Sequence, residues 1–232
     1  MSPGYRAELM RLMAVFVDSE LAGAAGFADM INRAPGLTAR AAAARIVAEK
    51  FSHAETVLGL MTGFGVNADL YVCSHAWSAR LDRGVDLGTR RVGGDRRVNV
   101  FHYPLEGWID ALALNLLMGT ATTVQLGELA TCSYTPLAQA MADIIKREAG
   151  HAAAAEAGIA DAIARDGARD AAELAVAYWH PRVAATFGRL DSDRVELYRR
   201  YGLRRRGNAE LHTAWRRDAD AALRRLGLDS RG

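Results

Sequence analysis

Residues 136–165 read PLAQAMADIIKREAGHAAAAEAGIADAIAR. Met141, Ile144, Glu148, His151, Ala155 and Ala162 recur there at three- and four-residue steps, which predicts one face of a long helix. Thr135 is placed to cap it, and Pro136 suits the first turn, where a missing N–H costs nothing. The face is apolar except for Glu148 and His151. Being three residues apart, these two lie about 60° apart around the helix axis and face the same neighbours. A carboxylate on an apolar stripe is costly unless it is paired, protonated or bound to a metal. A Glu-x-x-His on one helix, with a Glu from another, is the unit that di-iron carboxylate bundles use. Carboxylate with imidazole suits Fe or Mn, and hence O2 chemistry. The plainer alternative is a buried Glu–His hydrogen bond without metal, and a single motif of this kind favours it.

The flanking sequence supplies partners for that helix. Residues 6–32 carry Met13, Phe16, Glu20, Ala24, Phe27 and Ile31 on one face, and Arg33-Ala34-Pro35-Gly36 ends the pattern. Asp18 falls about 200° from Glu20 and is expected in solvent. A second helix is predicted over 39–64, capped by Thr38, with Ile46, His53, Val57, Leu60 and Phe64 on a stripe. A shorter helix over 67–81 follows. Residues 82–107, rich in Arg, Gly and Asp, lack helical period; so long a connection suggests a lid, a binding loop or disorder. A third long helix is expected over 108–132, and shorter ones over 169–227, interrupted by Pro181, Gly188, Gly202 and Gly207. Four long helices with an extended crossover between the second and third predict an all-α, ferritin-like four-helix bundle with additional C-terminal helices. It would form one domain over 1–232, with its core bundle at about 6–165 and a C-terminal extension at about 169–227. Glu20, His53, Glu148 and His151 would then share one core, which raises a functional site to even terms with simple packing.

Composition agrees with helix. The 232 residues are 50% hydrophobic and 24% charged, with only five prolines, which excludes a disordered chain and leaves room for one sizeable core or at most two small domains. No apolar run reaches the ~18 residues of a membrane span, and MSPGYRAELMRLM lacks the layout of a secretory signal. Two cysteines, Cys73 and Cys132, exclude a disulfide framework or a four-Cys zinc site; both read as small core residues. The expectation is a cytoplasmic protein. Net charge is +2, which argues against a nucleic-acid binder. Residues 181–232 nevertheless carry thirteen Arg against seven acids, and Lys50 and Lys146 are the only lysines in the chain.

Several ordered blocks are more specific. They are Ser19-Glu20, Arg33-Ala34-Pro35-Gly36-Leu37, His53, Phe101-His102-Tyr103-Pro104, Trp108, Asp110, Ser133-Tyr134-Thr135-Pro136 and Glu148-Ala149-Gly150-His151. Trp179-His180-Pro181, Phe187-Gly188, Tyr201-Gly202-Leu203, Asn208-Ala209-Glu210-Leu211 and Leu226-Gly227-Leu228 continue the series. Over nearly the whole chain, their order and spacing resemble the A subunit of phenylacetyl-CoA epoxidase, in the phenylacetate-catabolic protein family. The resemblance implies a ferritin-like fold whose di-iron site inserts oxygen into an aromatic acyl-CoA, with partner subunits and an external reductase. Glu20, His53, Glu148 and His151 match family ligand positions. Two positions depart: the family's Glu three residues before the first His falls on Lys50, and its Asp on the third long helix falls on Gly119.

Glu49 can compensate for Lys50. It lies four residues before His53, about 40° away, and a π-bulge would turn it further inward. Glu128 is nine residues past Gly119, about 180° round the helix, and points away from the site. Asn115, Thr122 and Thr123 share the Gly119 face but are weak ligands. Lys50 supports three readings: an ammonium that replaces metal among carboxylates, an outward lysine beside an intact site, or a base or Schiff-base nucleophile of depressed pKa. The resemblance also implies that the first reading is open, since non-catalytic relatives of these oxygenase subunits lack a complete metal set.

The remaining candidates are weaker. His102 could line the pocket mouth or simply pack the loop, and His75 and His212 read as surface or helix-end residues. Arg204, Arg205 and Arg206 beside Asn208 read as a solvated basic face, or as a group that holds phosphates or docks a partner.

The leading expectation is an oxidoreductase: an iron-dependent, O2-using oxygenase acting on a small aromatic or acyl substrate, thioesters included. Glu20, Glu49, His53, Glu148 and His151 would bind one or two Fe ions, and Lys50 and Glu49 are the candidate catalytic residues. The alternative is a metal-free homologue in which Lys50 replaces the ions, acting as a structural subunit or with other chemistry in the same pocket. Expected partners are a small-molecule substrate, a partner subunit, a reductase and further copies of the chain, with no nucleic acid and no membrane.

Overall fold

The structure, a computed structural model, describes residues 1–229. Four long helices carry the site: α1 (Pro3–Ala28), α2 (Gly36–Thr62), α4 (Trp108–Leu129) and α5 (Thr135–Asp166). α3 (Ala68–Cys73) lies in the crossover, and α6 (Arg169–Ala184), α7 (Arg194–Tyr201) and α8 (Asn208–Arg225) follow the bundle. The described residues contain helices and no strand, as the ferritin-like reading requires. α1 packs along α2, α4 packs along α5, and α2 meets α5 across the middle.

Side chains at the ends explain the helix boundaries. Ser2 accepts a hydrogen bond from the Tyr5 N–H, with Pro3 in the first turn of α1. α2 begins at Gly36 behind extended Pro35, so Thr38 is not its cap. Gly167 ends α5 in the left-handed region that glycine enters freely. The helix expected over 67–81 closes at Cys73 because side chains beyond it claim its carbonyls and those of the following turn. The Trp77 indole donates to Val72 O, and the buried Arg97 guanidinium donates to Ala76 O and Trp77 O.

The crossover is an ordered, pinned segment. Asp18, expected in solvent, is buried: its carboxylate accepts from Tyr71 Oη at 2.6 Å and from the Arg96 backbone N–H at 2.6 Å. Burial pushes its pKa up, against those two hydrogen bonds. Ser19 Oγ accepts from the Val98 N–H. Two consecutive α1 residues therefore hold the crossover while the next, Glu20, faces the interior. The helical period located Glu20 correctly but missed that this loop covers the opposite face of α1.

α4 is long and apolar enough to cross a membrane, with mean hydropathy 1.2, but 56% of that stretch is buried in the bundle. It is the central helix, packed against α5, α6 and α8. Leu112, Leu116, Leu117, Trp179, Leu211 and Trp215 join it to the C-terminal helices. Its two acids serve structure. Asp110 accepts from Arg83 at 2.6 Å and from the Trp179 indole at 2.8 Å. Glu128 accepts from the backbone N–H groups of Arg205 and Arg206 and from the Arg206 guanidinium, at 2.6–2.9 Å. Glu128 thus points away from the bundle centre and fastens the C-terminal segment. Cys132 is buried but Cys73 is exposed, correcting its placement in the core.

Candidate functional site

Glu20 from α1, Lys50 and His53 from α2, and Glu148 and His151 from α5 meet in the bundle interior, each with under a tenth of its surface exposed. The Lys50 ammonium lies 3.2 Å from Glu20 Oε1 and 3.0 and 3.1 Å from the two Glu148 oxygens. His53 Nδ1 sits 3.1 Å from Glu20 Oε2 and 3.3 Å from Glu148 Oε1. His151 Nδ1 lies 3.3 Å from Glu148 Oε1. Its other nitrogen, Nε2, is 2.5 Å from Glu49 Oε2, and Arg147 contacts Glu49 from outside. Glu49 is about a quarter exposed and reaches the cluster from its rim, behind His151.

The charges sustain one another. Burial alone would discharge Lys50, but Glu148 and Glu20 outweigh it and hold the ammonium above its ordinary pKa. Burial likewise opposes a charged His53, yet hydrogen bonds to Glu148 and Glu20 raise it to about 9. Burial resists ionisation of Glu148, but Lys50 and the two histidines carry its carboxyl well below the usual range. The bond from His151 lowers Glu49.

Two glycine-scale details define the surroundings. A Cβ on Gly119 would come within 2.9 Å of the Ala152 Cβ, so the α4 position facing the cluster is used for close approach to α5. Beside the cluster a cavity of about 30 Å³ is lined by Lys50, Glu148, His151, Asn115, Gly119, Arg80 and mostly apolar residues. That holds a water or two. Asn115 and Thr123 spend their side chains on the α4 carbonyls of Ala111 and Gly119. His102 is buried in the 3-10 turn Asn99–His102, away from the lining of this cavity, its pKa lowered by burial and by Arg97. His75 packs on Trp77, and His212 packs between Phe187 and Trp215.

Over residues 1–230 the chain fits the family model of the phenylacetic acid catabolic proteins. It belongs to that family. No curated protein matches it. The family match bears on what the cluster can hold. Glu20, His53 and Glu148 offer ligand atoms that all lie within 4.8 Å of one another, the arrangement of a metal-binding triad.

Metal is a poor fit to the full donor set. A two-ion site in such a bundle draws a Glu from each of two helices and a Glu-x-x-His from each of the other two. This family member presents Lys50-x-x-His53 on α2, Gly119 on α4, and both α4 acids engaged elsewhere. Metal-bound histidines also lean on a partner at their outer nitrogen. His151 has one in Glu49, whereas His53 Nε2 is buried without a hydrogen-bond partner. A cationic nitrogen of the chain itself, Lys50 Nζ, already bridges the Glu20 and Glu148 carboxylates.

Proposed function

We propose that this phenylacetic acid catabolic protein is a metal-free, non-oxygenating member of its family, a structural subunit that docks with an oxygen-activating partner. One observation carries the reading: the Lys50 ammonium, 3.0–3.2 Å from Glu20 and Glu148, neutralises buried carboxylates that metal ions would otherwise neutralise. Removing one partner of such a buried group leaves uncompensated charge, so the arrangement is self-sustaining without a cofactor. The size of the neighbouring cavity supports the same reading. About 30 Å³ is far short of the ~150 Å³ that admits a benzene ring.

The test is metal analysis of the full chain produced with added iron and manganese. The expected content is well under one ion per chain. Lys50→Glu is expected to gain metal through Glu20, His53 and Glu148, and Gly119 limits the gain to about one ion. Stoichiometric iron or manganese in the unmodified protein would overturn the reading and restore the oxygenase, with Glu20, Glu49, His53, Glu148 and His151 as ligands.

A further inference from the structure

A second concavity lies between the N-terminal half of α1, residues 91–98 of the crossover, and the segments that open α7 and α8. Its volume is about 580 Å³, within the range of small-molecule sites. Arg11, Arg91, Arg96, Arg189, Arg194 and Arg204 all line it, against a single acid, Asp95. None of its residues lines the cavity beside Lys50.

The supply of carboxylates falls short of the arginines. Glu8 is shared by Arg11 and Arg194. Asp95 is held by Arg97, outside the lining, and Asp191 by Arg189. Arg91, Arg96 and Arg204 have no carboxylate within ion-pair distance among the described residues. Arg91 donates to the carbonyls of Arg96 and Arg97. Arg204 donates to the Asn208 side chain and the Arg206 carbonyl, and lies over the Tyr198 ring. Arg96 reaches Asp18 through its backbone N–H, which leaves the guanidinium free. Gln125, Thr186, Ser192 and Asn208 add neutral polar groups. The first residues of α7 and α8, Arg194 and Asn208, also lie in the wall, and Asp193 makes no side-chain cap at the start of α7; helix N-termini favour anions.

We infer that this cleft binds a small, multiply charged phosphate-type anion, a diphosphate or its ester. The concave shape and volume fit a compact ligand better than a flat protein surface. Guanidinium groups pair with phosphate oxygens in a bidentate fork, and three unpaired arginines match the charge of a diphosphate.

Calorimetric titration of the full chain with sodium pyrophosphate, at ~0.15 M ionic strength, tests the inference. Saturable one-to-one binding is expected. Arg96→Gln, which sacrifices no side-chain contact, and Arg91→Gln should each weaken it ~10-fold or more, the scale of one lost charge-assisted contact. Arg217→Gln, at an exposed position on α8, should leave affinity unchanged. Sulfate at matched ionic strength should bind at least ~10-fold more weakly. The inference is overturned if pyrophosphate fails to saturate below ~1 mM, if Arg217→Gln costs as much as Arg96→Gln, or if sulfate binds equally well. Retention on phosphatidylserine vesicles without soluble pyrophosphate binding would also overturn it, in favour of a membrane surface.

Discussion

The interior cluster and the arginine cleft handle positive charge in opposite ways. Inside the bundle one ammonium meets two carboxylates at 3.0–3.2 Å, and His53 lies 3.1–3.3 Å from the same two. At the cleft six guanidinium groups face one lining acid, and three of them are left without a carboxylate. The lesson concerns dielectric. In the dry interior an unmatched charge is prohibitive, so matching must be complete within the fold. At a surface, water tolerates the excess until a ligand arrives.

The sharpest way to break the contrast is to unbalance each region in turn. Lys50→Met leaves Glu20 and Glu148 facing one another in the interior and is expected to destabilise the fold by ~3–5 kcal/mol, read by denaturant unfolding. A loss below ~1 kcal/mol would mean that water or metal already screens those carboxylates. Next in size is the response to pH. His53, raised to about 9, contributes stability that is fully present below about 6.5, the ordinary histidine value, and is lost as pH climbs towards 9. Glu148, held well below 4.5, contributes stability that is present above 4.5 and is lost as pH falls from there through its lowered folded value. Unfolding followed against pH should therefore show a plateau between about 4.5 and 6.5 and a decline on the alkaline side, which Lys50→Met should distort.

Smaller effects follow outside the cluster. Gly119→Ala drives a methyl into Ala152 and should cost ~1–3 kcal/mol by overpacking. Glu128→Gln weakens the fastening of Arg205 and Arg206 and should cost ~1–2 kcal/mol, with early loss of α8 protection in hydrogen exchange. Arg96→Gln should leave stability within ~0.5 kcal/mol of the parent while removing most of the pyrophosphate affinity. A large stability loss there would erase the distinction between the two regions.

Much of the interior was legible because helical period is strict. Glu20, His53, Glu148 and His151 occupy the stripes that their spacing predicts, and the four long helices end within a few residues of their sequence signals. Lys50 could be named but not oriented: Glu49 and Lys50 are adjacent, and only the packing of α2 against α5 decides which one enters the core. The crossover was illegible for a different reason. Asp18 is fixed by Tyr71 and Arg96, which lie 53 and 78 residues away, and helical period carries no information about such partners. The arginine cleft was hidden likewise. Arg204 was visible as part of a basic run, while Arg11, Arg91 and Arg96 join it only through the fold.

The approach of Gly119 to Ala152 has a consequence for anyone redesigning this protein. Lysine-to-glutamate at position 50 is one step, but an acid at 119 demands that α4 and α5 separate along the most tightly joined seam of the bundle. The two changes are coupled by geometry, and neither yields a two-ion cage alone. At position 50 an acid needs only a new side chain, whereas at position 119 it needs a shift of helix against helix.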